Sequence, residues 1–205
     1  MPAGVIVAGG RSTRFGKPDK AVAPLAGVPM IRRVADRVDE AVDELIVNCR
    51  EDQRAAIADA LSGYSLPSRF AVDTDPGTGP MAGIRTGLAA CDHDVAVVLA
   101  CDMPFVDPKI VSSLFDHATG HDAVVPRLDD GWFQTTHAVY RRDPMVEACD
   151  AALARGERRV VDPLFELDYA VVGADDLPER GSLSSFENVN TREEFERAET
   201  RLERT

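Results

Sequence analysis

The chain has 205 residues, 44% hydrophobic and 28% charged, and carries a formal charge of −12. That length suits one sizeable core, and the charge argues against nucleic acid as a bulk partner, because phosphate backbones need clustered lysine and arginine. Its longest clean apolar run, residues 95–100, falls far short of the roughly 20 residues that cross a bilayer, and the start lacks the basic region and cleavage site of a secretory signal, so a cytoplasmic location is expected.

Residues 5–8 form a short apolar run that stops at Gly9-Gly10, reading as a buried strand entering a loop. Pro29 then opens a helical pattern in which Met30, Val34 and Val38 share one face. Residues 45–48 read as a strand, 52–61 as a helix and 69–72 as a third short strand. From Gly79 to Ala90 the spacing of Met81, Ile84 and Leu88 is helical. Residues 95–100 are almost pure Val, Ala and Leu, as expected at the centre of a parallel sheet covered on both faces. A helix over 107–117 and a strand over 122–126 follow. This alternation predicts right-handed crossovers and an α/β fold: a doubly wound, mostly parallel sheet with helices on both faces. Beyond it the spacing predicts a strand over 132–140, a helix over 144–154, a strand over 168–172 and a charged helix over 192–202, capped by Thr191 with Glu194 three residues on.

Four cysteines (Cys49, Cys91, Cys101, Cys149) are scattered without a CxxC spacing, which predicts reduced, buried thiols rather than disulfides or a zinc site. Only three lysines occur against twenty arginines. An acidic, lysine-poor surface suits a high-salt cytoplasm; GC-rich codons also favour arginine. Two of the three lysines, Lys17 and Lys20, sit within four residues of each other.

They belong to a basic, glycine-containing loop, Ala8-Gly-Gly-Arg-Ser-Thr-Arg-Phe-Gly-Lys-Pro-Asp-Lys20, directly after the first strand. Glycines there let backbone N–H groups approach phosphates, while Arg14 and Lys20 can neutralise triphosphate charge. The spacing is not that of a P-loop: five residues separate Gly10 from Gly16, and Pro18 follows Lys17. The G-x-G-x-x-G fingerprint is absent too. The central strand ends in Cys101-Asp102-Met103-Pro104, where Asp102 lacks a built-in partner and is well placed to hold Mg²⁺, which takes one or two carboxylates plus phosphate oxygens. Asp73 could accept from the paired donors of a guanine edge, and Asn48, ending its own strand, could touch base or ribose. Gly83 inside a helix implies close packing, of a nucleobase or of helix on sheet.

Together these segments resemble the molybdenum cofactor guanylyltransferases (the MobA family). The family's opening loop is matched by Ala8-Gly9-Gly10, Arg14-Phe15-Gly16 and Asp19-Lys20, with Phe15 in place of the usual Met. Gly79-Pro80-Met81-Ala82-Gly83, Cys101-Asp102-Met103-Pro104, Gly156-Glu157-Arg158-Arg159-Val160 and Asn188-Val189-Asn190-Thr191 resemble later family segments. The resemblance spans residues 4 to about 198. It implies a Rossmann-like, nucleotide-diphospho-sugar transferase-like fold and Mg²⁺-dependent transfer of GMP from GTP to the phosphate of molybdopterin.

It further implies that Ala8, Gly9, Gly10, Lys20, Asn48, Asp73, Gly79 and Asp102 lie on the nucleotide or its metal, with Lys20, Asp102 and Arg14 acting in catalysis. Gln134, Arg158, Asn188 and Asn190 would lie on the acceptor side. Residues 1–126 would form the nucleotide-binding half and 127–205 the acceptor-side half of one domain, a monomer or weak homo-oligomer that could also meet molybdoenzymes or their chaperones. His137 stands in a variable stretch and is expected to be packed rather than catalytic. The alternatives are a cytidylyltransferase for the same cofactor, an adenosylcobinamide-phosphate guanylyltransferase, or a nucleotide-binding adaptor.

Overall fold

The computed structural model describes residues 2–10, 19–73, 79–177 and 181–204. A seven-stranded sheet runs through the molecule in the order β5-β4-β1-β6-β8-β7-β9. Its strands are β1 (Ala3–Val7), β4 (Glu44–Cys49), β5 (Ser68–Val72), β6 (Val95–Ala100), β7 (Ala123–Arg127), β8 (His137–Arg141) and β9 (Tyr169–Gly173). The apolar runs put β1, β4 and β6 side by side and in parallel, with Val7 level with both Asn48 and Ala100. Cys49 is level with Val72 on β5. The carboxyl ends of four strands are thus flush, and the residues just beyond them (Ala8, Arg50, Asp73 and Cys101-Asp102) share one edge.

Alternate side chains feed two apolar cores. Ile6, Val47, Val97 and Leu99 pack with α1 (Met30–Val38), α2 (Glu51–Ala60) and α4 (Pro108–Asp116). Val5, Ile46, Ala96 and Val98 pack with α3 (Pro80–Ala89), α5 (Arg142–Ala154) and the single turn α6 (Val161–Leu164). Helices cover both faces, as the strand–helix alternation predicts. A third, smaller cluster joins Leu25, Met30 and Phe105 to α7 (Arg192–Glu203), whose start is closed by the expected box: Thr191 Oγ1 accepts from Glu194 N–H and Glu194 Oε2 from Thr191 N–H.

Two sequence expectations are corrected. Residues 132–140 do not form one strand. Phe133 bridges Arg127 and Gln134 N–H donates to Pro126 O, but the regular pairing aligns Ala123 with Tyr140. The register slips by three residues at Thr135 and Thr136, so β8 begins only at His137, where it runs antiparallel between β6 and β7. Trp132 is left 75% exposed. Pro29 does not open α1 from within. It is the residue before the first turn and pairs with Pro24 in a small hairpin of β2 (Pro24–Leu25) and β3 (Val28–Pro29). The two turn residues, Ala26 and Gly27, have φ of 45° and 76°, the left-handed pair that a two-residue hairpin needs. Arg33 holds Ala26 O and Glu199 accepts from Ala26 N–H, which offsets the strain of a left-handed alanine.

Candidate functional site at the carboxyl edge of the sheet

Lys20 follows the basic loop in a short 3₁₀ turn started by Asp19, whose Oδ1 accepts from Ala21 N–H at 3.0 Å. The Lys20 side chain crosses the edge and donates to Asp102 Oδ2 at 2.6 Å and to Asn190 Oδ1 at 3.0 Å. Asp102, expected to lack a partner, therefore has one: a lysine only 8% exposed. Its other oxygen, Oδ1, is buried without a hydrogen-bond partner. The segment holding Asn190 is tied to the same turn, because Val189 N–H donates to Asp102 O at 2.8 Å.

A second cluster forms beside β1. Asn48 Nδ2 donates to Asp73 Oδ1 at 2.6 Å and to Ala71 O, while Asn48 Oδ1 is buried without a partner. A Cβ on Gly9 would overlap Asp73 Oδ2, so glycine is what lets that carboxylate lie across the loop. Burial raises the Asp73 carboxyl above its ordinary range, countered by the Asn48 hydrogen bond and by nearby Arg50. A Cβ on Gly83 would come 2.5 Å from Asn48 Oδ1 and 3.0 Å from Val7 Cγ1. Of the two explanations for that helical glycine, close packing of α3 on the sheet accounts for it.

Gly79 precedes α3 with φ 94° and leaves the helix start without a side-chain cap. The Arg158 carbonyl lies 3.7 Å from the Cβ position of Gly79, and the Arg158 side chain is exposed. The residues expected on the nucleotide side and on the acceptor side thus meet in the Lys20–Asn190 hydrogen bond, and the Arg158 backbone runs close to Gly79. Gln134 is half-buried in the loop between β7 and β8, and Asn188 is exposed with Nδ2 3.5 Å from Phe186 O. Arg14 lies outside the described residues.

His137 is fully buried, its Nδ1 3.1 Å from Ser185 O and its ring 4.6 Å from that of Phe186. Burial pushes its pKa down to about 4, so it is a packed, neutral histidine. The four cysteines are buried and free, and burial raises every thiol.

The sequence marked Asp19 only as part of the loop motif and gave no role to Arg50 or Gln53. Gln53 Nε2 donates to Ala8 O at 3.0 Å and to Asp19 Oδ2 at 2.6 Å, and Arg50 Nη1 donates to Gly9 O and Gly10 O. The available signal was a glutamine four residues before Ile57, on the apolar face of α2.

The edge is suited to a hard cation carried in by phosphates. Asp102 Oδ1 is an unsatisfied hard oxygen, and such ions take one carboxylate and fill the rest of their shell with phosphate and water oxygens. Among the described residues no group of three or more His, Cys, Asp or Glu could hold a metal alone, and no helix is long and apolar enough to cross a membrane.

A doubly wound sheet with Gly9, Gly10, a lysine and a carboxylate gathered at its carboxyl edge defines an α/β domain of the class whose ligand crevice lies beyond the carboxyl ends of the strands. The profile of the MobA-like NTP transferase domain matches residues 4–171. A probable molybdenum cofactor guanylyltransferase of Natronomonas pharaonis is 52% identical over 199 residues, covering 97% of either chain. A second, from Haloferax mediterranei, is 41% identical and covers 92% of this chain and 89% of its own. The crystal structure of molybdopterin-guanine dinucleotide biosynthesis protein A from Archaeoglobus fulgidus superposes with a TM-score of 0.80 at 26% identity, over 99% of this chain and all of that one. The chain belongs to the molybdenum cofactor guanylyltransferase family of MobA-like NTP transferases.

Proposed function

We propose that the chain transfers GMP from GTP to the terminal phosphate of molybdopterin in the cytoplasm, releasing pyrophosphate. Family membership supports the reaction, and the observation that carries it is the Lys20–Asp102 pair at the end of the central strand, with Asp102 Oδ1 left unsatisfied. A phosphate oxygen of the acceptor attacks the α-phosphorus as the bond to the β-phosphate oxygen breaks. The attacking phosphate is already anionic, so no protein base is required, in keeping with the burial of His137. Catalysis is then positioning and charge neutralisation.

In this reading Lys20 leaves Asp102 for the triphosphate, and Arg14 adds a second cation. Mg²⁺, when bound through Asp102, would supply neutralisation of charge on the phosphate oxygens. Ala8, Gly9 and Gly10 carry the phosphates, Asn48 and Asp73 the guanosine, and Gly79 the close approach at the start of α3. Gln134, Arg158, Asn188 and Asn190 face the acceptor. The chain works as a monomer or weak homo-oligomer and passes its product to molybdoenzymes or their chaperones.

A single-turnover assay with GTP and molybdopterin, read by pyrophosphate release and formation of the guanine dinucleotide, tests the proposal. Turnover with CTP in place of GTP, or with adenosylcobinamide phosphate in place of molybdopterin, would overturn the substrate assignment.

A further inference from the structure

We propose that Arg50 is a positioning residue that sets the orientation of the Gly9 and Gly10 peptides, turning the Gly10 N–H toward the triphosphate. This rests on the reading of the carboxyl edge as a triphosphate site. One guanidinium nitrogen, Nη1, donates to Gly9 O at 3.0 Å and to Gly10 O at 2.6 Å. Across a planar trans peptide, a carbonyl oxygen and the following N–H point in opposite directions. With Gly9 O turned to Arg50, the Gly10 N–H points to the far side. Gly10 is exposed, and among the described residues a Cβ added to it would meet nothing within 4 Å. Among the described residues, then, no side chain crowds Gly10.

Two adjacent glycines have little conformational preference of their own, so the orientation must be imposed from outside. Arg50 can impose it because it is itself held. Nε and Nη2 bond the two oxygens of Asp52 at 3.0 and 3.2 Å, and Nη2 lies 3.6 Å from Asp19 Oδ2. The side chain is only 13% exposed. Gln53 extends the clamp by one residue, since it bonds Ala8 O and its Oε1 accepts from Arg50 N–H at 3.0 Å. Three successive carbonyls, of Ala8, Gly9 and Gly10, are thus drawn to the start of α2. Lysine carries the same charge but cannot bridge Asp52 and two carbonyls with one rigid fork. Orientation rather than charge is therefore the property that Arg50 supplies.

The test compares wild type with Arg50→Lys and Arg50→Ala by calorimetric titration with GTP and, separately, with guanosine, which lacks phosphates. The expected result is that both variants weaken GTP binding by a similar factor, about 10- to 100-fold, the range of one charge-assisted backbone hydrogen bond. Guanosine affinity stays within about threefold of wild type, a change under 1 kcal/mol. Wild-type GTP affinity in Arg50→Lys would show that charge suffices and would overturn the proposal. Equal losses of GTP and guanosine would assign Arg50 to general support of the fold and overturn it as well. If the wild-type protein bound guanosine but gained nothing from the triphosphate, the triphosphate reading itself would fall, and this inference with it.

Discussion

The Lys20 ammonium lies 2.6 Å from Asp102 Oδ2 and 3.0 Å from Asn190 Oδ1, so one charge gathers segments that are 82 and 170 residues away in sequence. A compact ammonium fits that slot, whereas a planar guanidinium is too wide for it. Lys20→Arg is expected to lower kcat by about 100- to 1,000-fold, the usual cost of losing a preorganised transition-state contact, with a smaller effect on GTP Kd. Asp102→Asn should abolish transfer with the fold intact. Measured kcat and Kd decide the matter: near-wild-type kcat in Lys20→Arg would reduce the lysine to ordinary surface charge.

Asp73 and Asn48 form the second pair, 2.6 Å apart. A carboxylate there favours the adjacent N–H donors of guanine, which neither cytosine nor adenine presents. GTP should bind better than CTP or ATP, and Asp73→Asn should cut that preference by about 10- to 100-fold, the range of a hydrogen bond to a charged group. Competition titrations giving equal affinities for all three nucleotides in wild type would rule out this use of Asp73.

The two loop glycines should respond differently to a methyl group. Gly9→Ala drives a Cβ into Asp73 and should destabilise the fold by about 1–3 kcal/mol. Gly10→Ala meets open space among the described residues and should leave stability within about 0.5 kcal/mol while weakening GTP. Thermal melts and GTP titrations on both variants check the contrast; equal melting temperatures would contradict it.

His137 makes stability pH-dependent in a defined window. Its folded pKa is about 4 against an ordinary 6.5, mainly through burial. Between those values the unfolded chain binds the proton and the folded chain does not. The contribution is therefore complete above pH 6.5 and lost as pH falls toward 4, by up to about 3 kcal/mol. Denaturant titrations at pH 7 and 4.5 should show a shallower acid loss for His137→Gln than for wild type. The same loss in both would remove His137 as the cause.

Charge sets the fifth expectation. With a net −12, self-repulsion opposes the compact state, and salt screens it over about 10 Å at 0.1 M and 3 Å at 1 M. Melting temperature should climb as KCl rises into the molar range. A flat response would leave codon usage as the reason for the arginine-rich, lysine-poor composition.

The sheet was legible wherever a strand is buried on both faces, because an unbroken run such as Val95–Ala100 admits few other readings. The places of Asn48, Asp73 and Asp102 at the sheet edge were legible for the same reason: polar residues at or just beyond the end of an apolar run mark the flush ends of strands. The register slip at Thr135 and Thr136 was not, since residues 132–140 alternate well enough to pass for one strand. The β2–β3 hairpin hid because its turn uses Ala26, where asparagine or aspartate normally signals a left-handed pair. Arg50 escaped notice because the contacts that tie it to the loop are to backbone carbonyls, which leave no trace in side-chain identity.

The antiparallel course of β8 has a consequence for how such a protein can diversify. Because β7 runs parallel to β6 and β8 returns beside both, the loop over residues 128–136 is delivered to the edge that carries Lys20 and Asp102. It is anchored there by a main-chain bond from Ala100 N–H to Thr136 O, 3.0 Å long. The residues that the proposed function assigns to the nucleotide all come from other segments. Among the described residues the hairpin tip, exposed Trp132 included, shares no hydrogen bond with Gly9, Gly10 or Asp102, so its length or sequence can change without breaking one there. If the proposed acceptor role of Gln134 holds, exchanging residues 128–134 between relatives should alter acceptor choice while leaving GTP affinity unchanged.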